Sequence, residues 1–259
     1  MNNIETIYFR IMKKHTLLIA TIFIIGACSQ NEQNTNTASP QPMVEYVWMT
    51  AGPEFSDVNL ATVINTWNKM IDDMGCNVNA NILTPEVANE GFDFIWAHIW
   101  ESQTARDDCW NNWGENYKAD YDKSIEGIMS YDLDNVYMFK PTVGKQPKMQ
   151  NNSGSFVNTF YFCTFNDGYS MSDLDSYKTA LNNTDGFSDY WWYVTLEPTF
   201  EPADPKPDFV WLDIWASSED EASDRENWSQ TDLPKVVEDK FSCLPDADGA
   251  GFIGTVIRS

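Results

Sequence analysis

The sequence predicts an α+β protein: two copies of one β-α-β-β-α-β unit, packed sheet to sheet within a single chain. Three observations carry this reading. The segment from Asp93, DFIWAHIWESQTARDDCWNNW, and the segment from Asp208, DFVWLDIWASSEDEASDRENW, stay in register without a gap. Asp93, Phe94, Trp96, Ile99, Trp100 and Trp113 fall on Asp208, Phe209, Trp211, Ile214, Trp215 and Trp228, an offset of 115. Upstream, VWMTAGPEFSDVNL from Val47 and YFCTFNDGYSMSDL from Tyr161 align at nearly the same offset. Chance does not match rare tryptophans in this way, and repetition of this kind marks a duplicated unit.

The elements follow from hydrophobic periodicity. In the first copy Val44–Thr50 reads as a strand. Asp57–Met74 carries apolar residues at Val58, Ala61, Ile64 and Met70 and reads as a helix. Val78–Leu83 and Phe92–Trp100 are strands, Ser102–Tyr117 is a helix with Ser102 as N-cap, and Asn135–Pro141 is the last strand. The second copy repeats the order: strand Asn158–Thr164, a helix near Ser172–Leu181, strands Tyr190–Leu196 and Phe209–Ala216, helical pieces within Ser218–Lys240, and strand Phe252–Ile257. This order is the split βαβ or ferredoxin-like unit, with helices on one face of an antiparallel sheet.

Side chains alternate between the faces of a strand. Phe92–Trp100 puts Ile95, Ala97 and Ile99 on one face and Phe94, Trp96, His98 and Trp100 on the other. The second copy sets Val210, Leu212 and Ile214 against Phe209, Trp211, Asp213 and Trp215. The small aliphatic set is expected under the helices, leaving the aromatic set on the open face. A patch of that size does not stay exposed on a soluble monomer, so two such sheets are expected to face each other.

In this arrangement the sequence resembles the dimeric α/β-barrel superfamily, whose members pair two ferredoxin-like units sheet to sheet. The likeness covers Val44 to Ile257 and rests on element order, duplication and the aromatic strand. It implies an intrachain pseudo-dimeric α/β barrel. Members include cofactor-independent monooxygenases acting on aromatic polyketides or quinols, haem-degrading enzymes, haem-containing dismutases and peroxidases, and lactone isomerases. Their ligands sit between sheet and helices or inside the barrel. No catalytic constellation carries over residue by residue, and no cofactor is assigned.

His98 and Asp213 are equivalent positions of the two copies. With the sheets facing each other, a titratable group from each copy would enter one interior, walled by Trp96, Trp100, Trp211 and Trp215. A histidine near a carboxylate away from water has a tunable pKa. Three readings stand side by side: both tips satisfied by neighbours or trapped water, a pocket for a small apolar or aromatic ligand, or acid–base catalysis by His98 with Asp213. A structural module without ligand is the plainest outcome. Trp110, Trp113 and Trp228, at helical spacing, are expected to pack helix on sheet. Asp246-Ala247-Asp248-Gly249 lacks the later ligands of a calcium loop and reads as a turn. No multi-histidine metal site is available, since His15 sits in the leader and His98 stands alone after it.

The N-terminus reads as an export signal. Lys13 and Lys14 precede the apolar run Thr16–Gly26, too short for a bilayer core of about 20 residues and suited to a signal peptide. Ile25-Gly26-Ala27-Cys28 resembles the bacterial lipobox, which implies acylation of Cys28 after cleavage and anchoring in a lipid bilayer. Ser29 in place of Asp points to the outer membrane. Met12 is the expected start, with Met1 to Ile11 an upstream extension. The parts are then a leader over 1–27, a polar tether over 28–43, the first repeat over 44–145, a linker over 146–155 and the second repeat over 156–259.

Charge excludes one class of partner. The chain carries 16 Lys and Arg against 39 Asp and Glu, and loss of the leader leaves 13 against 38. Nucleic acid requires clustered cations, which are lacking. Four cysteines follow Cys28, an even number suited to an oxidising compartment. In a ferredoxin-like unit the start of strand two lies near the beginning of helix two. The end of strand one lies near the start of strand four. Those neighbourhoods predict Cys76–Cys109 and Cys163–Cys243.

Overall fold

A computed structural model describes residues 40–259 apart from 89, 205 and 246–248. The leader, Cys28 and most of the tether lie outside the described residues, as does most of the expected turn at 246–249. The elements run β1 (Met43–Ala51), α1 (Asp57–Met74), β2 (Val78–Pro85), β3 (Phe94–Trp100), α2 (Gln103–Asn116), α3 (Lys118–Ser124) and β4 (Met129–Lys145). Then come β5 (Ser155–Phe165), α4 (Met171–Asn182), β6 (Trp192–Pro198), β7 (Phe209–Trp215), α5 (Ser218–Ser229), α6 (Leu233–Lys240), β8 (Phe241–Leu244) and β9 (Ala250–Arg258). Ser56, Ser102 and Ser217 cap α1, α2 and α5 through their hydroxyls, and Ser170 caps α4 within a capping box, which satisfies first-turn N–H groups.

Within each repeat the strand order is fourth, first, third, second. The last strand of each repeat also crosses to the other repeat. β4 lies antiparallel to β1, with Val44 opposite Phe139, and then to β6, with Val143 opposite Val194. β9 lies between β5 and β2, with Phe252 opposite both Asn158 and Pro85. Pairing of β5 with β7 closes the ring into an eight-stranded antiparallel barrel, β8 continuing the line of β9 along β5. The expected pseudo-dimeric α/β barrel is therefore the fold. The duplication is repeated in hydrogen bonding: Asp93 accepts from Ala51 N and Asp208 from Phe165 N, both at 2.7 Å.

The faces of the strands are reversed from the sequence expectation. Ile95, Ala97, Val210, Leu212 and Ile214 fill the barrel interior with Tyr46, Phe139 and Phe160. Trp96 and Trp100 lie under the first repeat's helices with Trp67 and Trp113, and Trp211 and Trp215 lie under the second repeat's helices. The reason is steric. Eight strands close to an interior only wide enough to be filled by side chains, which suits the small aliphatic set. Indole rings need the deeper layer between sheet and helix, and the helices need an apolar surface to cover.

Both expected disulfides are formed, Cys76–Cys109 and Cys163–Cys243. The first ties the residues after α1 to α2, and the second joins directly opposed residues of β5 and β8. They span sequence separations of 33 and 80, so loop-closure entropy assigns each about 4 kcal/mol. Replacing either pair by serine is expected to lower unfolding stability by that order in denaturant titration. Thiol labelling of denatured, unreduced protein should find none of these four reactive. Among the described residues no helix is long and apolar enough to cross a membrane.

Candidate functional site

The two strand positions singled out by the sequence, His98 and Asp213, do not meet. β3 and β7 are separated around the barrel by three strands in either direction, and both side chains point outward under their own helices. The expected His98–Asp213 pair in one interior is thus replaced by two separate sites, one filled and one open.

In the first repeat β1 places Glu45 opposite His98 on β3. Glu45 is 1% exposed. Its Oε2 accepts from Trp110 Nε1 at 2.9 Å and Trp100 Nε1 at 3.3 Å, and its Oε1 accepts from Arg106 Nε at 2.9 Å and from Arg106 Nη2. His98 Nδ1 lies 3.3 Å from Oε2 without a well-aligned hydrogen bond. Burial by itself would raise the Glu45 pKa; His98 and Arg106 outweigh it and hold the carboxyl at about 2. Rings fill what space remains: Trp67, Trp96, Trp100 and Trp110 all lie within 6.5 Å of the imidazole, centroid to centroid. Trp96 and Trp100, expected to line a ligand pocket, are packed at 2% and 1% exposure. His98 itself is 5% exposed, closed in by these rings.

The second repeat has the same frame and an opening in place of the rings. Aligned on their N-caps, Ser56 and Ser170, α1 and α4 set Trp67 against Leu181. α4 has 12 residues where α1 has 18, so nothing helical stands where Ile71 packs in the first repeat. Aligned on Ser102 and Ser217, Trp110 is answered by Arg225. The result is a cavity of about 520 Å³ between the outer face of β5–β7 and α4–α6. Trp211, Trp215 and Asp213 form its floor, Tyr177 and Leu181 come from α4, Trp228 from α5 and Trp191 from the segment before β6. Cys163–Cys243 borders it as well.

Asp213 opens on this cavity. Its Oδ1 accepts from Trp191 Nε1 at 2.9 Å. Burial pushes its pKa up to about 6, against the indole donors of Trp211 and Trp191 and the more distant Arg225, which pull it down. Arg225 is held by Glu221, through Nε at 3.0 Å and Nη2 at 2.8 Å, with Thr159 Oγ1 3.3 Å from Nη2. Thr159 stands opposite Asp213 as Glu45 stands opposite His98. Asp224 accepts from Trp215 Nε1 at 3.0 Å and Ser188 N at 2.7 Å, which fixes α5 and the segment before β6 against the sheet. Tyr193 stacks on Trp211 at 4.1 Å. Gly144 allows this, because a Cβ there would lie 1.9 Å from Tyr193 Cε2.

The raised pKa gives Asp213 a cost. Its folded pKa of about 6 exceeds the ordinary 3.8, so its contribution to stability is full below pH 3.8 and lost as pH rises through about 6. Asp213→Asn is expected to stabilise the protein by about 3 kcal/mol at pH 8 and to flatten stability against pH in that window. Urea unfolding at several pH values reads both.

Among the described residues no cluster of three or more histidine, cysteine or acidic groups is placed to hold a metal. The cavity does not suit a haem, because its lining offers the iron no ready ligand. Among the described residues no histidine or methionine borders it, its two cysteines are bonded to each other, and burial pushes the Tyr161 and Tyr177 phenols up, away from phenolate.

Sequence reasoning found the strand positions and missed their partners. Glu45, Arg106, Glu221 and Arg225 become visible only once Glu45 and Thr159 are known to face positions 98 and 213. Leu181 had a signal: the upstream alignment already sets it against Trp67.

Comparison with known proteins bears on shape. No protein-family model matches the sequence, and no curated protein does. A chlorite dismutase from Candidatus Nitrospira defluvii is similar in structure, with TM-score 0.49 and 8% identity over 83% of this chain and 90% of that one. A protein assigned as a monooxygenase, from Lactobacillus acidophilus, gives 0.44 and 12% over 84% and 94%. An anthrone oxidase-like protein gives 0.47 and 9% over 85% and 94%. Likeness at this level says nothing of the chemistry.

Proposed function

We propose that this protein takes up a small, mainly aromatic or apolar organic molecule in the cavity of its second repeat, and that it does so outside the cytoplasm, anchored to a lipid bilayer, most simply the outer membrane, through an acylated Cys28. The observation that carries the binding reading is the cavity itself. A space of about 520 Å³ is walled by indole and phenol rings and is bordered by two carboxyl groups of raised pKa, Asp213 and Asp224. Concave, mainly apolar sites with few polar groups are what small-molecule pockets look like. The lipobox-like Cys28 segment supports the location, and two disulfides agree with an oxidising compartment.

A second reading is favoured by Asp213. A carboxyl titrating near pH 6 in an aromatic cavity is poised to give or take a proton. An isomerase-like or cofactor-independent oxygenase-like activity would therefore use Asp213 alone. His98, walled off in the other repeat, has no part in it.

The test is a titration of the full-length protein with 2-naphthol, followed by tryptophan fluorescence. Saturable quenching at one molecule per chain is expected. Absence of saturable binding would contradict the proposal.

A further inference from the structure

We infer that the natural ligand of the second-repeat cavity is an organic cation, an ammonium group set against Asp213 with an apolar or aromatic body on the tryptophan faces. This deepens the binding reading and rests on it.

The first argument is the comparison of the two repeats. Under the helices of the first repeat a buried carboxylate, Glu45, has its cation built in: Arg106 is in direct contact, with the His98 ring beside it. Under the helices of the second repeat the carboxylate has moved to Asp213, on the opposing strand, and no built-in cation accompanies it. Among the described residues no lysine or arginine forms an ion pair with Asp213. Arg225 attracts it from a distance but is engaged by Glu221. A desolvated carboxylate without a cation is costly even where an indole donates to it, as Trp191 does to Asp213 at 2.9 Å. Where the first repeat spends its space on Trp67 and Trp110, the second leaves an opening beside that carboxylate.

The second argument is the electrostatics of the walls. Among the described residues, the other charged groups around the cavity are Glu221 and Asp224 on α5 and Glu238 on α6, against Arg225 on α5 and Lys145 on β4. The phenols of Tyr161 on β5, Tyr177 on α4 and Tyr193 on β6 are all pushed up by burial and stay neutral. The field in the cavity is therefore negative. Aromatic ring faces attract cations as well, and Trp191 already carries Lys145 Nζ 4.3 Å from its ring centroid. An anionic ligand would meet carboxylates; a neutral one would leave Asp213 with its indole donors and no cation beside it.

The experiment is isothermal calorimetry on the full-length protein with three probes of one shape: 2-phenylethylamine, 2-phenylethanol and phenylacetate. Near neutral pH the amine is expected to bind about tenfold tighter than the alcohol or better, with phenylacetate weakest. Lowering pH to about 5 protonates Asp213 and should weaken the amine about tenfold while leaving the alcohol unchanged. Asp213→Asn should bring the amine to the level of the alcohol; the pH series on the unaltered protein gives the same answer should that variant fail to fold. An alcohol that binds as tightly as the amine, or an amine affinity insensitive to pH, overturns the inference and leaves the cavity as a binding site. Failure of all three probes to bind overturns both.

Discussion

Glu45→Gln is expected to cost about 3 to 5 kcal/mol of unfolding free energy at neutral pH, the range for breaking a buried ion pair from one side. The substitution removes the charge that holds Arg106 and attracts His98, and leaves one oxygen to accept from two indoles. Linkage gives a similar size. The Glu45 carboxyl falls from 4.5 to about 2 on folding, which linkage converts to about 3 kcal/mol. Because the folded pKa is depressed, this stability is present above pH 4.5 and lost as pH falls towards about 2. Calorimetry of a body this size should show a melting temperature lower by about 10 °C, together with loss of the acid-sensitive part of the stability profile.

Leu181→Trp is the matching test of function. It copies into α4 the residue that α1 carries at the same place, where Trp67 lies 5.3 Å from Trp96 and 5.6 Å from His98. The indole would enter the cavity from the α4 side, over Trp211. Affinity for 2-naphthol is expected to fall about a hundredfold, near 2.7 kcal/mol. Thermal stability should hold or rise, since filling a cavity restores contacts. A variant that binds as well as the unaltered protein would place the ligand elsewhere.

The architecture was legible because duplication shows in rare residues. Tryptophans in register at an offset of 115, with strand-like and helix-like runs between them, leave few folds to choose from. Which strand face points inward was not legible. Period-two alternation separates Trp96 and Trp100 from Ile95 and Ala97 but is silent on which set meets the helices. The expectation that rings pack between two facing sheets fails because strand crossing by β4 and β9 closes the sheets into a barrel whose interior takes the aliphatic set. His98 and Asp213 were legible as equivalents for the same reason the fold was. Their separation follows from that closure, which puts β3 and β7 on opposite sides. The disulfides were legible from topology alone, because strand ends and helix starts are fixed by the element order.

The asymmetry between the repeats has a plain physical origin. One copy keeps a long first helix and fills the layer beneath it with indoles. The other shortens that helix by six residues and substitutes Leu for Trp, and the space so released is the cavity. Duplication allows this, since the filled copy maintains its half of the barrel while the other half bears the cost of an opening and a poorly compensated carboxyl. Destabilised groups of that kind concentrate where binding or chemistry occurs.

The most direct measurement is a crystal structure of the protein soaked with 4-iodophenol, with the iodine located by its anomalous signal. The peak is expected beside Asp213, between the outer face of β7 and helices α4 and α5. An iodine inside the barrel among Ile95, Ala97 and Leu212, or under the helices of the first repeat, would contradict the assignment of the second repeat as the binding half.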